Sequence, residues 1–226
     1  MLDFFNQMMP NVMNILSEIP GSIAVTIVML VVAGFISFVF GLLLGVLMIA
    51  TKKGGVYENR MIFSLFDKLI NLFRAIPFII LIPIIMPLTR ALLGTSIGVK
   101  GAIPVLVVGT IPFFARQIES ALSEVDHGLI EASQAMGSSP MEIITRVYLK
   151  ESIPGIVRAT TITLISLLGL IAIVGTLGAG GLGDLAIRLG YNRNMVDVTY
   201  VMVFFILIII SIVQMLGDFI IRKTTH

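Results

Sequence analysis

The sequence predicts an all-α integral membrane protein with about five transmembrane helices. Of its 226 residues, 57% are hydrophobic and 12% are charged, whereas a soluble domain has about 25% charged residues. Several charge-free stretches also reach the roughly 20 residues that a helix needs to cross a bilayer. A chain with so few charges cannot cover a water-exposed surface, so the sequence excludes a soluble fold.

The first 20 residues are expected to form an amphipathic segment. Large apolar residues recur at helical spacing from Phe4 to Ile19, which favours a helix lying at the membrane surface. Pro20-Gly21 is expected to end that helix.

A transmembrane domain is predicted over residues 21–221. Its first span includes Gly41 and Gly45, a pair of small residues that allows close helix approach. This pair is typical either of a dimer contact or of packing within one subunit, and both interpretations are open. The five spans are expected at about residues 22–50, 68–90, 97–117, 157–180 and 198–219.

The second and fourth spans are the candidates for lining a translocation path. Proline removes a backbone donor and kinks a helix, and such breaks survive in a membrane where neighbouring helices or a water-lined cavity satisfy the carbonyls. The second span is therefore either a path-lining helix or a kinked structural one. Its Arg74 is expected to snorkel or to face the bundle interior. The candidate path-lining residues are Pro77, Pro83, Ser166, Gly169 and Gly175.

Positive charges are unequally divided between the two sets of loops. Cytoplasmic loops of membrane proteins carry an excess of Lys and Arg. The N-terminus is therefore expected outside and the C-terminus in the cytoplasm. The cytoplasmic set holds eleven basic residues (Lys52, Lys53, Arg60, Lys68, Arg74, Arg116, Arg146, Lys150, Arg158, Arg222 and Lys223) and the external set holds four (Arg90, Lys100, Arg188 and Arg193).

A polar loop at about residues 120–155 interrupts the apolar sequence between the third and fourth spans. Residues 131–136 are good helix formers, and Gly137 can take the positive φ that ends a helix. Ser138 or Ser139 can cap a second helix, with Pro140 in its first turn. The apolar stripe of this second helix is expected at Met141, Ile144, Val147 and Tyr148.

Part of this loop resembles a known family pattern. Glu131-Ala132-Ser133, followed after three residues by Gly137, is similar to the Glu-Ala-Ala…Gly cytoplasmic loop of ABC-importer permeases. The family pattern continues to a Pro, where this chain has Lys150. In that family the loop is a coupling helix that docks on the ATPase subunit. The resemblance therefore implies coupling roles for Glu131, Ala132, Ser133, Gly137, Ser138 and Met141.

A second resemblance narrows the family to permeases of bacterial methionine importers and covers most of the chain. Its motifs include Arg74-Ala75-Ile76-Pro77-Phe78-Ile79-Ile80, Leu88-Thr89-Arg90, Gly94-Thr95-Ser96-Ile97-Gly98, Gly178-Ala179-Gly180-Gly181-Leu182-Gly183-Asp184-Leu185-Ala186 and Gly190-Tyr191.

This resemblance implies a multi-pass subunit of the bacterial cytoplasmic (inner) membrane. Its implied partners are a second copy of the chain, two ATP-binding subunits, a periplasmic or surface solute-binding protein, and membrane lipid. The resemblance implies that the partner subunits bind ATP and that this chain needs no cofactor of its own.

The residues themselves point to no catalytic centre or metal site. The chain lacks G-x-x-x-x-G-K-[ST], the loop that cradles ATP phosphates. Gly178–Gly183 fits G-x-G-x-x-G but follows a membrane span rather than a strand, so it predicts a flexible or tightly packed external turn. His127 and His226 lack partners at metal-ligand spacing and are expected to be solvated. Without a cysteine, the chain has no disulfide. The modest net charge of +2 gives no indication of nucleic-acid binding.

Alternative functions remain open. One is a permease for another amino acid or a small peptide, another is a secondary transporter that works alone, and a third is a structural subunit of a membrane complex. Asp184, Asp197 and Asp218 lie at the ends of spans, and this position argues against a buried acidic proton relay.

Overall fold

The computed structural model describes residues 9–224, which form helices and turns without a strand. The α-helices are α1 (Pro10–Asn14), α2 (Ile19–Thr51), α3 (Arg60–Ala75), α4 (Phe78–Leu93), α5 (Gly98–Ser123), α6 (His127–Ala135), α7 (Pro140–Glu142), α8 (Leu149–Glu151), α9 (Ile153–Val174), α10 (Leu182–Leu185) and α11 (Val196–Thr224). Three π-helical turns join them, at Ile143–Tyr148, Gly175–Ala179 and Ala186–Tyr191.

Four helices of the described chain are long and apolar enough to cross a membrane. They are α2, α5, α9 with its π-helical extension, and α11. The pair α3 and α4 passes the same criteria as one broken span, so the total is four or five. The predicted all-α membrane fold with about five spans is confirmed.

The second span, predicted at 68–90 with kinks at its prolines, is broken at Pro77 into α3 and α4. The Asn59 side chain accepts hydrogen bonds from the N–H groups of Met61 and Ile62, both at 3.1 Å, and so starts α3 earlier. Ile76 is extended, with φ −76° and ψ 121°, because a residue before proline is sterically excluded from the helical region. The chain therefore breaks at Ile76-Pro77, and Arg74 lies on the exposed surface of α3.

The N-terminal segment also differs from the prediction. Residues 1–8 lie outside the described chain, as does His226. Within residues 9–20 the only helix before Ile19 is α1, and Pro20-Gly21 opens α2 instead of ending a helix, since proline is tolerated in a first helical turn. Val12 and Ile15 are buried against other parts of the protein, so this stretch packs on the fold.

Asp197 holds the start of α1 in place. Its carboxylate accepts hydrogen bonds from the N–H of Asn11 at 2.9 Å and the N–H of Val12 at 3.3 Å. The Asn11 side-chain amide donates a third bond at 2.9 Å. Because the first N–H groups of a helix have no partner within the helix, this carboxylate acts as a cap supplied by a distant part of the sequence.

The described residues form two compact units. The first comprises residues 9–35, 78–107 and 164–213. Its larger core is formed by one end each of α2, α5 and α9, with a contribution from α4. A smaller core joins the N-terminal segment to α10, the π-helical turn that follows α10, and the start of α11.

The second unit comprises residues 36–77, 108–163 and 214–224. Gly41 and Gly45 face α5 within it. A methyl group added at Gly41 would lie 2.6 Å from the Phe114 ring, and one at Gly45 would lie 2.5 Å from the Ile118 side chain. Of the two interpretations of this glycine pair, the structure supports packing within one subunit.

Replacing Gly45 with Ala should therefore destabilise the protein. The new methyl group would meet Ile118 at 2.5 Å and the Ala115 carbonyl oxygen at 3.0 Å, and overpacking of this kind costs about 1–3 kcal/mol. We expect a lower melting temperature for the detergent-solubilised variant. Gly169→Ala is the matched control, because no atom lies within 4 Å of its added methyl group. Equal melting temperatures for the two variants would contradict the packing described.

Candidate functional site

The polar loop folds into a helix–turn–helix unit, which we call the 126–151 segment. Asp126 caps α6, because its carboxylate accepts a hydrogen bond from the Gly128 N–H at 2.8 Å. Gly137 has φ +80°, and its N–H donates to the Gln134 carbonyl while that of Ser138 donates to the Ser133 carbonyl. These two bonds form a Schellman motif, the common glycine-dependent helix end. The predicted stop of the first helix at Gly137 is confirmed.

The second helix begins with a capping box. Ser139 is its N-cap, and its N–H and hydroxyl both donate to the Glu142 carboxylate, at 3.0 and 2.9 Å. These two hydrogen bonds, with Arg146 at 3.2 Å, lower the pKa of the Glu142 carboxyl. Ser139 therefore performs the capping role, while Ser138 completes the preceding turn.

One side of the 126–151 segment is anchored in the core of the second unit. Ile130, Ile143 and Tyr148 pack in one buried cluster with α2 and α5. Burial also raises the pKa of the Tyr148 hydroxyl. A segment fixed in this way moves together with the helices on which it packs.

The predicted stripe of the second helix is wrong at Met141. This side chain is 57% exposed, while Ile143, which was not predicted, is 2% exposed. The reason is the π-helical turn Ile143–Tyr148. A π-helix bonds from residue i to i+5, so it changes which side chains share a face.

The other side of the segment presents apolar side chains to its surroundings. Leu129 is 47% exposed, Met136 80% and Met141 57%. Glu131 is exposed on α6, and one of its carboxylate oxygens is 3.5 Å from His127 Nδ1. Exposed apolar side chains mark a protein–protein contact where they form one contiguous patch.

The structure separates the residues suggested for coupling into two groups. Glu131, Ala132, Gly137 and Met141 are exposed, and Ser138 is half-buried. Ser133 is only 7% exposed, so its side chain faces the protein. Its described contribution is the carbonyl oxygen that accepts the Ser138 N–H.

The residues suggested to line the path also differ in their exposure. Pro77, Pro83, Ser166 and Gly169 are exposed, and Ser166 and Gly169 share one face of α9 because they are three residues apart. Gly175 is buried, and a methyl group there would lie 2.8 Å from the Gly180 carbonyl oxygen. Gly175 is thus a close-packing position and does not line a path in this structure.

A family model matches most of the chain. It is described as the binding-protein-dependent transport system inner membrane component, and it matches residues 38–226. The chain belongs to this family.

Relatives within the family carry more specific names. The chain is 42% identical over 201 residues to the probable D-methionine transport system permease protein MetI of Vibrio cholerae, covering 89% of each chain. It is 43% identical over 174 residues to the methionine import system permease protein MetP of Bacillus subtilis, covering 77% of this chain and 78% of that one.

A solved structure of the MetNI methionine ABC transporter, in an inward-facing conformation, contains a similar chain. The TM-score is 0.90 at 42% identity, and the match covers 95% of this chain and 98% of the other. The family resemblance inferred from the motifs is therefore confirmed.

The second unit of this chain contains a charged network that the sequence analysis did not predict. Arg116 on α5 bonds Asp67 on α3 at 2.6 Å and Glu119 at 2.6 Å. It also donates to the Asn71 side-chain oxygen at 3.1 Å. The available signal was polar residues at helical spacing, four apart in α3 and three apart in α5, within otherwise apolar segments.

The glycine motif near the fourth span is a tightly packed turn. Gly178, Gly180 and Gly181 have φ values of +99°, +78° and +93°. A methyl group at Gly183 would lie 2.4 Å from the Ala172 Cα. The Leu182 N–H donates to the Thr26 hydroxyl at 3.0 Å. Of the two predicted interpretations, close packing fits this turn.

Within residues 9–224, no three His, Asp or Glu side chains are grouped as metal ligands would be.

Replacing Arg116 with Gln should destabilise the second unit. The Arg116 side chain is 27% exposed and that of Glu119 13%, and hydrogen bonds to charged groups contribute about 1.5–3 kcal/mol each. Asp67 and Glu119 would lose their shared cation. We expect a clear fall in melting temperature, measured in detergent.

Lys68→Gln is the matched control for that experiment. Lys68 is an exposed cation on α3 and has no ion pair within residues 9–224. If the two variants melt at the same temperature, the network contributes no stability.

Proposed function

We propose that this chain is the membrane-spanning subunit of an ATP-driven importer that carries methionine into the cell. The observation that carries the proposal is the two-sided 126–151 segment, which is anchored in the core on one side and presents Leu129, Met136 and Met141 on the other. A partner that pushes on the exposed side would move the transmembrane helices. Relatives that are 42% and 43% identical are named as methionine transport or import permeases, and this supports methionine as the substrate.

The partner on this surface is an ATPase subunit, present in two copies. The chain itself has no phosphate-binding loop, so ATP is bound by the partner, and this chain performs no hydrolysis. A second copy of the chain completes the pathway, a solute-binding protein delivers substrate from the other side, and lipid covers the apolar surfaces.

The excess of basic residues sets the orientation of the proposed subunit. The 126–151 segment and the C-terminus lie in the cytoplasm, with the N-terminus outside. The segment is then on the side where an ATPase finds ATP.

The translocation path is formed by exposed faces of α4 and α9 that are poorly suited to contact with lipid. Ser166 and Gly169 expose a hydroxyl and bare backbone in the middle of α9, where lipid offers no hydrogen-bonding partner. Pro83 lies on α4, and the proline interrupts its hydrogen-bond ladder. These faces suit a water-filled path between two copies of the chain.

Transport then follows from the rigidity of the packed helices. ATP binding draws the two ATPase subunits together, and their movement is transmitted through the 126–151 segment to the helices on which it packs. Packed helices have a few discrete arrangements and do not deform continuously. The path therefore alternates between outward-open and inward-open forms.

A secondary transporter is the main alternative of a different class. Within residues 9–224, no Asp or Glu is among the buried residues. A proton-coupled mechanism requires such a buried acid. A permease for another amino acid or a small peptide uses the same architecture, and flux measurements distinguish it.

Reconstitution tests the proposal directly. The chain, its candidate ATPase and its candidate binding protein would be placed in liposomes, and entry of radiolabelled methionine would be followed. We expect accumulation that needs both ATP and the binding protein. Accumulation without the ATPase would support a secondary transporter, and import of another amino acid would correct the substrate.

The same assay includes a matched pair of variants. Met136→Asp places a charge on the exposed surface of the segment and should abolish uptake, while Ser133→Ala alters a buried side chain beside it and should retain uptake.

A further inference from the structure

Arg90 occupies an unusual place on α4. It lies in the last turn of the helix, seven residues after Pro83 and three after Pro87, so all three share one face. The three side chains are exposed. The opposite face carries Leu81, Ile82 and Thr89, which are 1–2% exposed. The face that carries the prolines suggested to line the path therefore ends in a guanidinium.

Arg90 lines a wide, open cavity of about 490 Å³ on the surface of the first unit. Its lining is Met86, Pro87, Arg90, Ala91 and Ser96. Ligand sites for small molecules have volumes of about 300–1,000 Å³ and combine an apolar lining with a few polar groups. This cavity has an Arg, a Ser hydroxyl and a thioether among apolar groups.

The Arg90 guanidinium has no carboxylate partner in the described chain. The ion pairs of residues 9–224 leave it out, and no described side chain hydrogen-bonds to it. The contrast with Arg116 is direct, because that guanidinium has two carboxylates at 2.6 Å.

We propose that Arg90 binds the α-carboxylate of the transported amino acid at one mouth of the path. The inference rests on the proposed import function and extends it to a residue and a chemical group. An amino acid at neutral pH carries a carboxylate, and the planar guanidinium binds carboxylates through two parallel hydrogen bonds.

The neighbouring backbone provides a complementary group. Pro87 has no N–H, so the Pro83 carbonyl lacks its usual donor four residues along the helix. Side chains of a helix lean toward its N-terminus, so the Arg90 side chain extends over the turn that contains Pro87. We expect this carbonyl to accept a hydrogen bond from the substrate's ammonium group.

An apolar crevice that shares Met86 and Ser96 with the cavity holds only about 10 Å³, which is about the space of one water molecule. The carboxylate is common to all amino acids, so the proposed contact recognises amino acids as a class and does not select methionine by its thioether.

Uptake into proteoliposomes by the complete complex tests this role. The variants are Arg90→Gln and Arg90→Lys, with Arg193→Gln as control, because Arg193 is an exposed Arg of the first unit without a described ion pair. At saturating loaded binding protein, we expect Arg90→Gln to slow methionine uptake at least about tenfold, because a charge-assisted bond is lost. Arg90→Lys should recover part of the rate, and Arg193→Gln should match the unmodified protein.

A normal rate for Arg90→Gln, while the unmodified complex imports methionine, would overturn the role of Arg90 and leave the import function standing. If the unmodified complex imports no amino acid, both proposals fail.

Vesicle composition separates the substrate carboxylate from an anionic lipid headgroup, which a guanidinium also binds. The loss of rate in Arg90→Gln should be the same in vesicles of phosphatidylcholine alone and in vesicles with phosphatidylglycerol. A defect seen only with phosphatidylglycerol would identify a lipid headgroup as the partner and overturn the proposal. Size-exclusion profiles check that each variant is folded.

Discussion

The burial of one side of the 126–151 segment is the interaction on which the functional account depends. Ile130, Ile143 and Tyr148 are each no more than 4% exposed and share a cluster with α2 and α5. Without this packing, a polar loop between two membrane spans would be mobile. It would then deform when a partner pushed on it and would not transmit the movement to the helices. Because it is packed and capped at both helix starts, displacement of its exposed side becomes displacement of the helices.

Two arginines of the chain differ in whether they have a carboxylate partner. Arg116 has its carboxylates within 2.6 Å and joins α3 to α5, so its charge serves the structure. Arg90 faces an open cavity without such a partner, so its charge is available to a ligand. This difference in pairing is the basis for the separate roles that we propose for the two arginines.

Much of the architecture could be predicted from composition and local signals. The lengths of the charge-free stretches predicted four of the spans. Gly137, Ser139 and Pro140 predicted the helix–turn–helix unit, because helix capping and the positive φ of glycine are local effects. The errors have non-local or cooperative causes. The π-helical turn buries Ile143 and leaves Met141 exposed. The start of α1 is fixed by Asp197, which is distant in sequence. The burial of Gly175 depends on a turn that follows later in the chain. The Arg116 network required the contact between α3 and α5, which sequence spacing alone does not reveal.

Cysteine cross-linking tests the central claim most directly, and the chain contains no cysteine of its own. Met136→Cys and Met141→Cys would be introduced singly and treated with a short thiol cross-linker in the presence of the ATPase subunit, with Tyr57→Cys as an exposed control outside the segment. The account predicts cross-links to the ATPase from Met136 and Met141 whose yield changes when ATP is added, and none from Tyr57. Absence of cross-links from both methionine positions, in a complex that still imports substrate, would contradict it.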